Sequence, residues 1–338
     1  MANLGIPGMA PALEAELAEG MASVESLLHS HIRGKYPLVE EASRHLVAAG
    51  GKRLRPLLTL LASHYGDKTR KGIIESAAVC ELTHVATLYH DDVMDEAPLR
   101  RGVESANNRW GNTVAILTGD YLFAKVSALL ADIGPEAVRL QAHTFERLVI
   151  GQIMETQGPA AGQDPLEHYL GVVSDKTGSL IAASARFGAM VSGAPDEIKE
   201  TLTVFGEKIG VAFQLVDDVI DILQPDAFYK EAHKHIFEAI VQLFTETQPI
   251  DLLTVSAQLK KNGKLDIAGG DFYLIQLTQK ISSSAHIEFH SRIILQKYIQ
   301  RSLIRISSEI IEESYDETTD VFDLLDKAES KLYEVTQG

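Results

Sequence analysis

The stretch ELTHVATLYHDDVMDEAPLRRG, residues 81–102, decides how the rest of this sequence is interpreted. It contains the end of a run from Ile73 to Asp95 that has neither glycine nor proline, and both residue types follow soon afterwards. Such a run predicts one long helix that ends near Asp95. Asp91 and Asp95 then share one face of this helix, with their Cβ atoms about 5 to 6 Å apart. Because two carboxylates repel each other at that distance, we expect a positive group between them.

The apolar residues elsewhere in the chain also favour helices. Spacings of three and four dominate, and the alternation that is typical of strands is scarce. The sequence therefore predicts an all-α fold. Further helices are expected at 112–133, 195–222, 226–244, 253–261, 271–279, 285–313 and 320–335.

The composition limits the classes of function. Of the 338 residues, 45% are hydrophobic and 23% are charged, which is the balance of a soluble globular protein. The net charge of -16 argues against direct nucleic-acid binding, because phosphates repel such a surface. The single Cys80 cannot form an internal disulfide. The sequence has neither a secretion signal nor an apolar run of membrane-spanning length, so we expect a cytoplasmic protein with no transmembrane segment.

The composition changes near Leu223, which predicts a junction between two domains. Alanine occurs 29 times in the first 223 residues and 7 times in the remaining 115. Folding does not require this change, since both parts are expected to be helical. We therefore predict one domain at 1–223 and a second domain, of different origin, at 224–338.

A second acidic cluster repeats the spacing of the first one in the segment FQLVDDVIDI, residues 213–222. Carboxylates in such apolar surroundings are costly to bury without partners. An isolated cluster of this kind is commonly a solvated helix end, but two clusters on long helices predict facing walls of one cavity with metal ions between them. Oxygen ligands without cysteine favour Mg²⁺ held jointly with substrate phosphates. The carboxylates concerned are Asp91, Asp92, Asp95, Asp217, Asp218 and Asp221.

Basic residues accompany the acidic clusters. Lys176 and Thr177 are expected to begin a helix whose N-terminal amides favour an anion. His84 lies seven residues before Asp91, and so on the same helical face. Each of these residues alone is commonly an ordinary surface or core residue, but as a set they suit a ligand with two diphosphates. The remaining members of the set are Lys52, Arg53 and Arg55, which follow a glycine pair, and Arg100 and Arg101.

Residues from about 20 to 223 resemble the trans-isoprenyl diphosphate synthases, in particular the long-chain polyprenyl type. The resemblance rests on GGKRLRP, ELTHVATLYHDDVMDEAPLRRG, LTGDYLFAK, SDKTGSLIAASARFGA and GVAFQLVDDVIDI, which occur in this order. It implies an isoprenoid-synthase helical bundle that condenses an allylic diphosphate with isopentenyl diphosphate to a long-chain all-trans polyprenyl diphosphate. It implies Mg²⁺ on Asp91 and Asp95 and a further ion near Asp217, with Asp218 and Asp221 in support. It also implies isopentenyl diphosphate on Lys52, Arg55, His84 and Arg101, and the allylic diphosphate on Arg100, Lys176, Thr177 and Gln214.

The residues one helical turn below the first cluster bear on product length. Ala86 and Thr87 lie five and four residues before Asp91, and neither is aromatic. A tunnel under the site is therefore not plugged at these two positions. Our hypothesis is a long product, which replacement of Ala86 by phenylalanine should shorten.

Residues 224 to 313 resemble the N-terminal helical domain of DnaB-type replicative helicases, and 320 to 335 resemble the start of that family's linker helix. The resemblance implies contacts with a helicase or primase through 224–338. It does not imply helicase activity, since no GxxxxGK[ST] phosphate loop occurs in the sequence. The expected architecture is a truncated isoprenoid-synthase helical bundle followed by a small helical bundle.

Three functions remain open from the sequence. The first is a working polyprenyl synthase, which we expect to be a homodimer through its N-terminal part, although the missing late helices could abolish its activity. The second is a non-catalytic chimera whose C-terminal half is a replication-protein interaction module. The third is a terpene cyclase or a head-to-head condensing enzyme, against which GGKRLRP argues because a cyclase binds no second diphosphate substrate. A recombinant or assembly join explains such a composite better than a natural bifunctional enzyme does.

Overall fold

Helices make up nearly all of the computed structural model, which describes residues 9–34, 36–246, 248, 250–279, 287–314 and 321–337. A single π-turn spans Ser174–Gly178, a 3-10 turn spans Pro225–Ala227, and a two-stranded hairpin pairs β1 (Leu99–Arg100) with β2 (Val103–Glu104). The helices of the N-terminal part are α1 (Pro11–His31), α2 (Pro37–Ala48), α3 (Leu54–Ser63), α4 (Ile73–Met94), α5 (Ala106–Trp110), α6 (Asn112–Ile133), α7 (Pro135–Gln157), α8 (Pro165–Val173), α9 (Ser179–Val191) and α10 (Asp196–Ile222). They are followed by α11 (Glu231–Thr245), α12 (Leu252–Lys261), α13 (Gly270–Gln279), α14 (Ile287–Ser314) and α15 (Val321–Gln337).

The prediction of an all-α fold is confirmed, and most helix bounds agree with the sequence pattern to within two residues. The exception is α11, which was expected to begin at 226 and begins at Glu231. Pro225 starts a 3-10 turn, and Phe228 then has an extended backbone with φ -84° and ψ 127°. The chain therefore leaves the helical conformation before α11 starts.

Helix α4 is the central element of the N-terminal part, because it packs against α1, α3, α6 and α9. Its buried residues occur on all sides of the helix, which is what a helix surrounded by others requires. Small residues such as Ala77 and Ala86 are fully buried beside the larger Leu82 and Tyr89. The C-terminal end of this helix carries the first acidic cluster, so the packing of α4 fixes where the carboxylates lie.

Helices α3 and α9 approach each other at a glycine. A Cβ atom at Gly188 would collide with the backbone carbonyl oxygen of Thr59. The Thr59 hydroxyl also donates a hydrogen bond of 2.9 Å to the carbonyl oxygen of Ser184, one turn earlier in α9. Glycine at 188 is therefore required by the close approach of the two backbones.

The chain divides into two compact units, Met1–Gln214 and Leu215–Gly338. The first unit has a core built around α4, to which α1, α2, α6 and α9 contribute buried residues. The second unit has a small core of its own, formed by Ala239, Leu243, Val255, Leu259, Ala268 and Leu274. The domain boundary expected at 223 stays a prediction.

One helix within the described ranges, α6, is long and apolar enough to cross a membrane, with a mean hydropathy of 1.5 over its best 18-residue window. Of that window, 39% is buried inside the protein. Leu122, Val126 and Leu129 place one side of α6 in the core against α4. Core helices commonly have this composition, so the hydropathy of α6 is accounted for by its packing.

Candidate active site

The basic side of the candidate site begins at the glycine pair between α2 and α3. Gly50 and Gly51 have φ values of 86° and 142°, which only glycine adopts without strain. A Cβ atom at Gly51 would lie 3.0 Å from the guanidinium carbon of Arg101. The two glycines therefore allow the chain to turn and allow the Arg101 side chain to lie directly against the backbone.

Arg53 holds this turn in place. Its guanidinium donates to a carboxylate oxygen of Glu25 at 2.6 Å, to one of Glu81 at 2.6 Å and to the carbonyl oxygen of Val47 at 2.9 Å. The pKa of Arg53 is raised, because the nearby Glu81 and Glu25 carboxylates outweigh the effect of burial. Of the three cations in GGKRLRP, Arg53 thus has a structural role.

Arg55 has the opposite environment. Its Nε is buried and has no hydrogen-bond partner among the described residues. Burial lowers its pKa, and the nearby charge of Arg101 adds to this effect, whereas Glu81 opposes it. A buried guanidinium donor without an acceptor is costly. An anionic ligand is the group that would satisfy it.

Arg101 is positioned by a tight hairpin turn. Arg101 and Gly102 connect β1 to β2 with φ values of 53° and 76°, as the central residues of a type I′ turn require. The Arg101 guanidinium donates to the carbonyl oxygens of Leu46, at 2.9 Å, and Gly50. A non-glycine residue in this conformation costs about 1–3 kcal/mol. These contacts offset that cost and hold Arg101 beside the glycine turn.

His84 and Lys52 complete the basic side. The pKa of His84 lies well below its ordinary value, because the ring is buried and the charges of Arg55 and Arg101 disfavour a further cation. His84 is therefore neutral at pH 7 and can donate a hydrogen bond from a ring N–H. Lys52 is exposed, and its ammonium lies 5.2 Å from the centre of the Phe213 ring.

The acidic side of the site lies at the end of α4. Burial raises the pKa of Asp91 to about 6, and the charge of Asp95 adds to this shift, whereas the nearby Lys176 ammonium opposes it. The charge of Asp95 thus acts on Asp91, and the positive group expected between the two carboxylates stays a prediction. Asp92 points elsewhere: it is fully buried, and its Oδ1 accepts a hydrogen bond of 2.5 Å from Nε of Arg100. Burial raises the pKa of Asp92 as well.

The carboxylates at the end of α4 fit a cation that is shared with a ligand. Within the described ranges, no group of three or more His, Cys, Asp or Glu side chains converges to hold a metal ion. Asp91 and Asp95 supply only oxygen ligands, and burial raises the pKa of Asp91. Mg²⁺ is usually bound by one or two carboxylates together with substrate phosphates. The residues present fit that mode of binding and do not form a closed protein cage.

Lys176 and Thr177 lie in the π-turn between α8 and α9, and the expectation that they begin a helix is wrong. The flanking Val173 and Ser179 have helical backbone angles, so the helix runs through the π-turn and its amides are used internally. Thr177 donates a hydrogen bond of 2.9 Å to the side-chain oxygen of Gln214. The Lys176 ammonium donates to Glu155. The two residues thus present side chains, and not a helix N-terminus, to the site.

The second acidic cluster lies near the end of α10, as expected. Asp217 and Asp218 are half-buried and lie within the unit Leu215–Gly338. The side chain of Asp221 lies outside the described residues. The convergence of this cluster with Asp91 on one cavity stays a prediction.

Sequence reasoning missed several residues that hold the predicted ones in place. Glu81 lies three residues before His84 on the same helical face, and its side chain is almost fully buried between Arg53 and Arg101. Its only signal in the sequence is a charged residue in an otherwise apolar segment. Four further residues had no signal in the sequence, because their partners come from other helices. They are Arg147, Glu155, Asp175 and Glu207.

The sequence is similar to two known protein families. Residues 36–242 match the polyprenyl synthetase family, and residues 211–296 match the DnaB-like helicase N-terminal domain. The sequence is 51% identical over 209 residues to a nonaprenyl diphosphate synthase of Mycobacterium tuberculosis, a match that covers 62% of each chain. It is 42% identical to a dimethylallyltranstransferase of the same organism, over 63% of this chain and 66% of that protein. The chain thus spans less than two thirds of the length of these relatives.

Solved structures show the same similarity. A geranylgeranyl pyrophosphate synthase from Corynebacterium glutamicum, in complex with calcium and isoprenyl diphosphate, matches with a TM-score of 0.58 and 35% identity, over 86% of this chain and 98% of that one. A decaprenyl diphosphate synthase from Rhodobacter capsulatus matches with a TM-score of 0.61 and 26% identity, over 96% and 98%. The double resemblance expected from the sequence is confirmed, and since the first family match extends over more than half of the residues, the chain belongs to the polyprenyl synthetase family.

Proposed function

We propose that this protein is a prenyltransferase that condenses an allylic diphosphate with isopentenyl diphosphate to a long-chain all-trans polyprenyl diphosphate. The observation that carries the proposal is the buried Nε of Arg55, which lacks a partner while the neighbouring Arg53 is fully bound. A diphosphate is the kind of anion that satisfies a guanidinium with two hydrogen bonds. The membership of the polyprenyl synthetase family supports this choice of anion.

The basic side of the site is the proposed position of isopentenyl diphosphate. Arg55 and Arg101 would bind its diphosphate by charge-assisted hydrogen bonds, and neutral His84 would donate a further one. Lys52, which is exposed, would act from the rim. Glu25 and Glu81 bind Arg53, and Glu81 also lies 3.6 Å from Arg101, so two carboxylates face three guanidiniums. The ligand would lie at Arg55, whose buried Nε lacks a partner.

The acidic side is the proposed position of the allylic diphosphate. Mg²⁺ held by Asp91 and Asp95 would neutralise the diphosphate as it leaves, and an ion near Asp217 is proposed in the same role, with Asp218 and Asp221 in support. Lys176, Thr177, Gln214 and Arg100 are the side chains that we expect to position this substrate. Their fixed dipoles and charges lower the barrier to the charge separation that follows.

The proposed reaction forms one bond and breaks another. The C1–O bond of the allylic substrate breaks, its electron pair leaves with diphosphate, and an allylic cation forms at C1. The double bond of isopentenyl diphosphate attacks C1, and loss of a proton from the adduct restores an alkene. The released diphosphate accepts this proton, so no dedicated side-chain base is needed. The side chains act by holding both diphosphates and by excluding water.

The product is proposed to be long. Ala86 is fully buried one turn below Asp91, and its side chain is the smallest that a chiral residue can place there. Thr87 is only partly buried on the same turn. The relative with 51% identity is a nonaprenyl diphosphate synthase, which agrees with a long product.

A homodimer is proposed through α6 and α7 of the first unit. Ile116 and Leu117 on α6 are 42% and 60% exposed, and Val149, Ile150 and Ile153 on α7 are 42–50% exposed. Helices α6 and α7 are neighbours, so these side chains form one apolar surface. Exposed apolar surfaces of this kind commonly mark protein interfaces.

A second candidate function rests on the DnaB-like match at 211–296. Residues 224–338 are proposed to act as a replication-protein interaction module that contacts a helicase or primase. If the synthase-like part is inactive because the C-terminal helices of that family are replaced by residues 224–338, this interaction would be the remaining function of the chain. A cytoplasmic location is proposed for either function.

The test is Mg²⁺-dependent incorporation of labelled isopentenyl diphosphate into an allylic primer. We expect incorporation by the full chain, its loss on addition of EDTA, and an increase in KM for isopentenyl diphosphate of about tenfold or more in Arg55→Gln, which loses a charge-assisted contact. Arg109→Gln is the matched control, because Arg109 forms an exposed ion pair with Glu41 at 2.9 Å. A folded chain that neither incorporates nor binds isopentenyl diphosphate would refute the proposal. Capture of a primase by that inactive chain would then favour the second function.

A further inference from the structure

The helix that carries Lys176 and Thr177 contains a single π-turn. Helix α8, the π-turn Ser174–Gly178 and α9 follow one another directly, so the chain is helical without a gap from Pro165 to Val191. A π-turn inserts one additional residue into a helix and is less stable than the regular α-helix, so its presence requires support from elsewhere. Such turns occur mostly where a function depends on them.

The support comes from an arginine on a neighbouring helix. Arg147 of α7 donates through Nε to Oδ1 of Asp175 at 2.7 Å. Through Nη2 it donates to the hydroxyl of Ser174 at 3.1 Å and to Oε1 of Glu207 at 2.6 Å. The Ser174 hydroxyl itself donates to the same oxygen of Glu207 at 2.7 Å. The first two residues of the π-turn are thereby tied to both α7 and α10 by one guanidinium.

Arg147 and Glu207 form the charged part of this network. The pKa of Arg147 is raised, since hydrogen bonds to Glu207 and Asp175 outweigh the effect of burial. The pKa of Glu207 is lowered, because the hydrogen bonds from Arg147 and Ser174 outweigh its own desolvation. The contacts are therefore charge-assisted, which makes them shorter and stronger than neutral hydrogen bonds.

Glycines let the neighbouring backbones close on the π-turn. A Cβ atom at Gly151 of α7 would lie 2.5 Å from the backbone nitrogen of Lys176. A Cβ atom at Gly210 of α10 would lie 2.8 Å from the Cα atom of Gly178. The backbone of the π-turn thus packs directly against α7 and α10 at these glycines. The hydrogen bonds of Arg147 join the same three elements.

The side chains that follow in the π-turn are two of those proposed above to bind the allylic diphosphate. Lys176 donates to Glu155 and opposes the rise in the pKa of Asp91, which places its charge near the first acidic cluster. Thr177 turns to Gln214 on α10 at 2.9 Å. Lys176 is thus bound to α7 and Thr177 to α10, so a change in the register of the π-turn would displace both side chains.

We propose that Arg147 is a positioning residue for the allylic diphosphate. By binding Ser174, Asp175 and Glu207 it fixes the register of the π-turn, and this register sets the positions of the Lys176 and Thr177 side chains, which are proposed above to hold that diphosphate. The inference rests on the proposed prenyl transfer. It assigns to Arg147 no contact with substrate, so its loss should change how the allylic substrate is bound and leave the isopentenyl diphosphate side unaffected.

The experiment compares Arg147→Met, Arg147→Lys and Arg186→Met in the full chain. Arg186 is the matched control: it also connects neighbouring helices, donating to Glu200 at 2.7 Å, but it lies beyond the π-turn. We expect Arg147→Met to raise KM for the allylic diphosphate by about tenfold or more, because misplacing a binding group by about 1 Å costs up to about 100-fold. KM for isopentenyl diphosphate should stay within about twofold. Arg147→Lys should be intermediate, since an ammonium keeps the charge but places its three donors on one nitrogen and does not reproduce the planar fork of a guanidinium.

A readout without turnover decides the inference independently of the proposed function. Amide hydrogen exchange at 174–180 should accelerate in Arg147→Met and stay unchanged in Arg186→Met. Circular dichroism measures the loss of thermal stability in each variant, and equal losses show that the difference in exchange is local. Unchanged exchange in Arg147→Met, or an equal effect in the control, would overturn the inference even if the wild-type chain is inactive. If Arg147→Met does not fold, the same comparison with Arg147→Lys decides.

Discussion

Replacing Glu81 with glutamine should destabilise the first unit, because this carboxylate neutralises two arginines. Its side chain is 3% exposed and lies 2.6 Å from Nη1 of Arg53 and 3.6 Å from Nη2 of Arg101. At an effective dielectric constant near 20, these separations correspond to gross attractions of about 6 and 5 kcal/mol. Desolvation cancels much of this attraction. Breaking such a buried pair from one side nevertheless costs about 3–5 kcal/mol, since the arginines keep their charges and lose their counterion.

The expected result is a large fall in melting temperature. For a unit of 150–250 residues, 1 kcal/mol corresponds to about 2–4 °C, so Glu81→Gln should lower the Tm by about 6–20 °C. Thermal unfolding followed by circular dichroism measures the shift. Glu16→Gln is the control, because Glu16 forms an exposed pair with Lys68 at 2.6 Å, and such pairs contribute about 0–1 kcal/mol.

A double-mutant cycle shows whether the arginine is the cause. Arg53→Met in the Glu81→Gln background should cost less than the sum of the two single substitutions, because it removes a charge that has lost its partner. A Tm shift no larger than that of Glu16→Gln, or strict additivity in the cycle, would refute the account of Glu81 as the counterion of this cluster.

Three further predictions concern the site and the core. Asp91→Asn should stabilise the metal-free chain at pH 7.5 by up to about 3 kcal/mol, because burial raises the pKa of Asp91 in the folded chain to about 6, above its ordinary value of 3.8, and so disfavours the charged form. The gain should shrink as the pH falls through about 6 and vanish only below about pH 3, where Asp91 is protonated in both states, and urea titration at pH 7.5 and at about pH 3 measures it. Gly188→Ala should prevent folding or cost several kcal/mol, because its Cβ atom would collide with the backbone of Thr59. The control Gly171→Ala should change stability by about 1 kcal/mol at most, because its Cβ atom would meet only a methionine carbon at 3.5 Å, and soluble yield and Tm measure both effects. Ala86→Phe should shorten the product, and chromatography of the dephosphorylated prenols that shows an unchanged length would contradict the tunnel hypothesis.

The helices were predictable from the sequence because their signals are local. The limits of α4, α6 and α10 are set by glycine and proline next to long apolar-periodic runs. The start of α11 was not predictable in the same way, since Phe228 is extended for reasons of packing: its ring lies 5.0 Å from that of Phe237 within the small cluster that also contains Leu223 and Ala227. A contact of this kind has no signature in the local pattern.

The candidate site was predictable in its composition and only partly in its geometry. Spacing correctly related Asp91 to Asp95, because both lie on one helix. Spacing could not show that Arg53 and Arg55 have different roles. Only the fold shows that Glu25 and Glu81 bind Arg53, whereas the Nε of Arg55 has no hydrogen-bond partner among the described residues. The π-turn at Lys176 was also hidden, because the residues that support it come from α7 and α10.

The distribution of counterions explains how an acidic chain can attract anionic substrates. Its net charge of -16 repels diphosphates at long range, so binding depends on local charge. Glu25 and Glu81 are two carboxylates facing three guanidiniums, those of Arg53, Arg55 and Arg101, which leaves a local excess of one positive charge, and Asp92 binds Arg100 next to the acidic cluster. At the other side, Asp91 and Asp95 have Lys176 as a nearby cation, which leaves a carboxylate excess that a divalent ion would balance. The basic groups meet α4 at Glu81 and the acidic groups end it at Asp91 and Asp95, so one helix carries both kinds of local charge. The proposed reaction requires this combination, because it binds one diphosphate directly and the other through a metal ion.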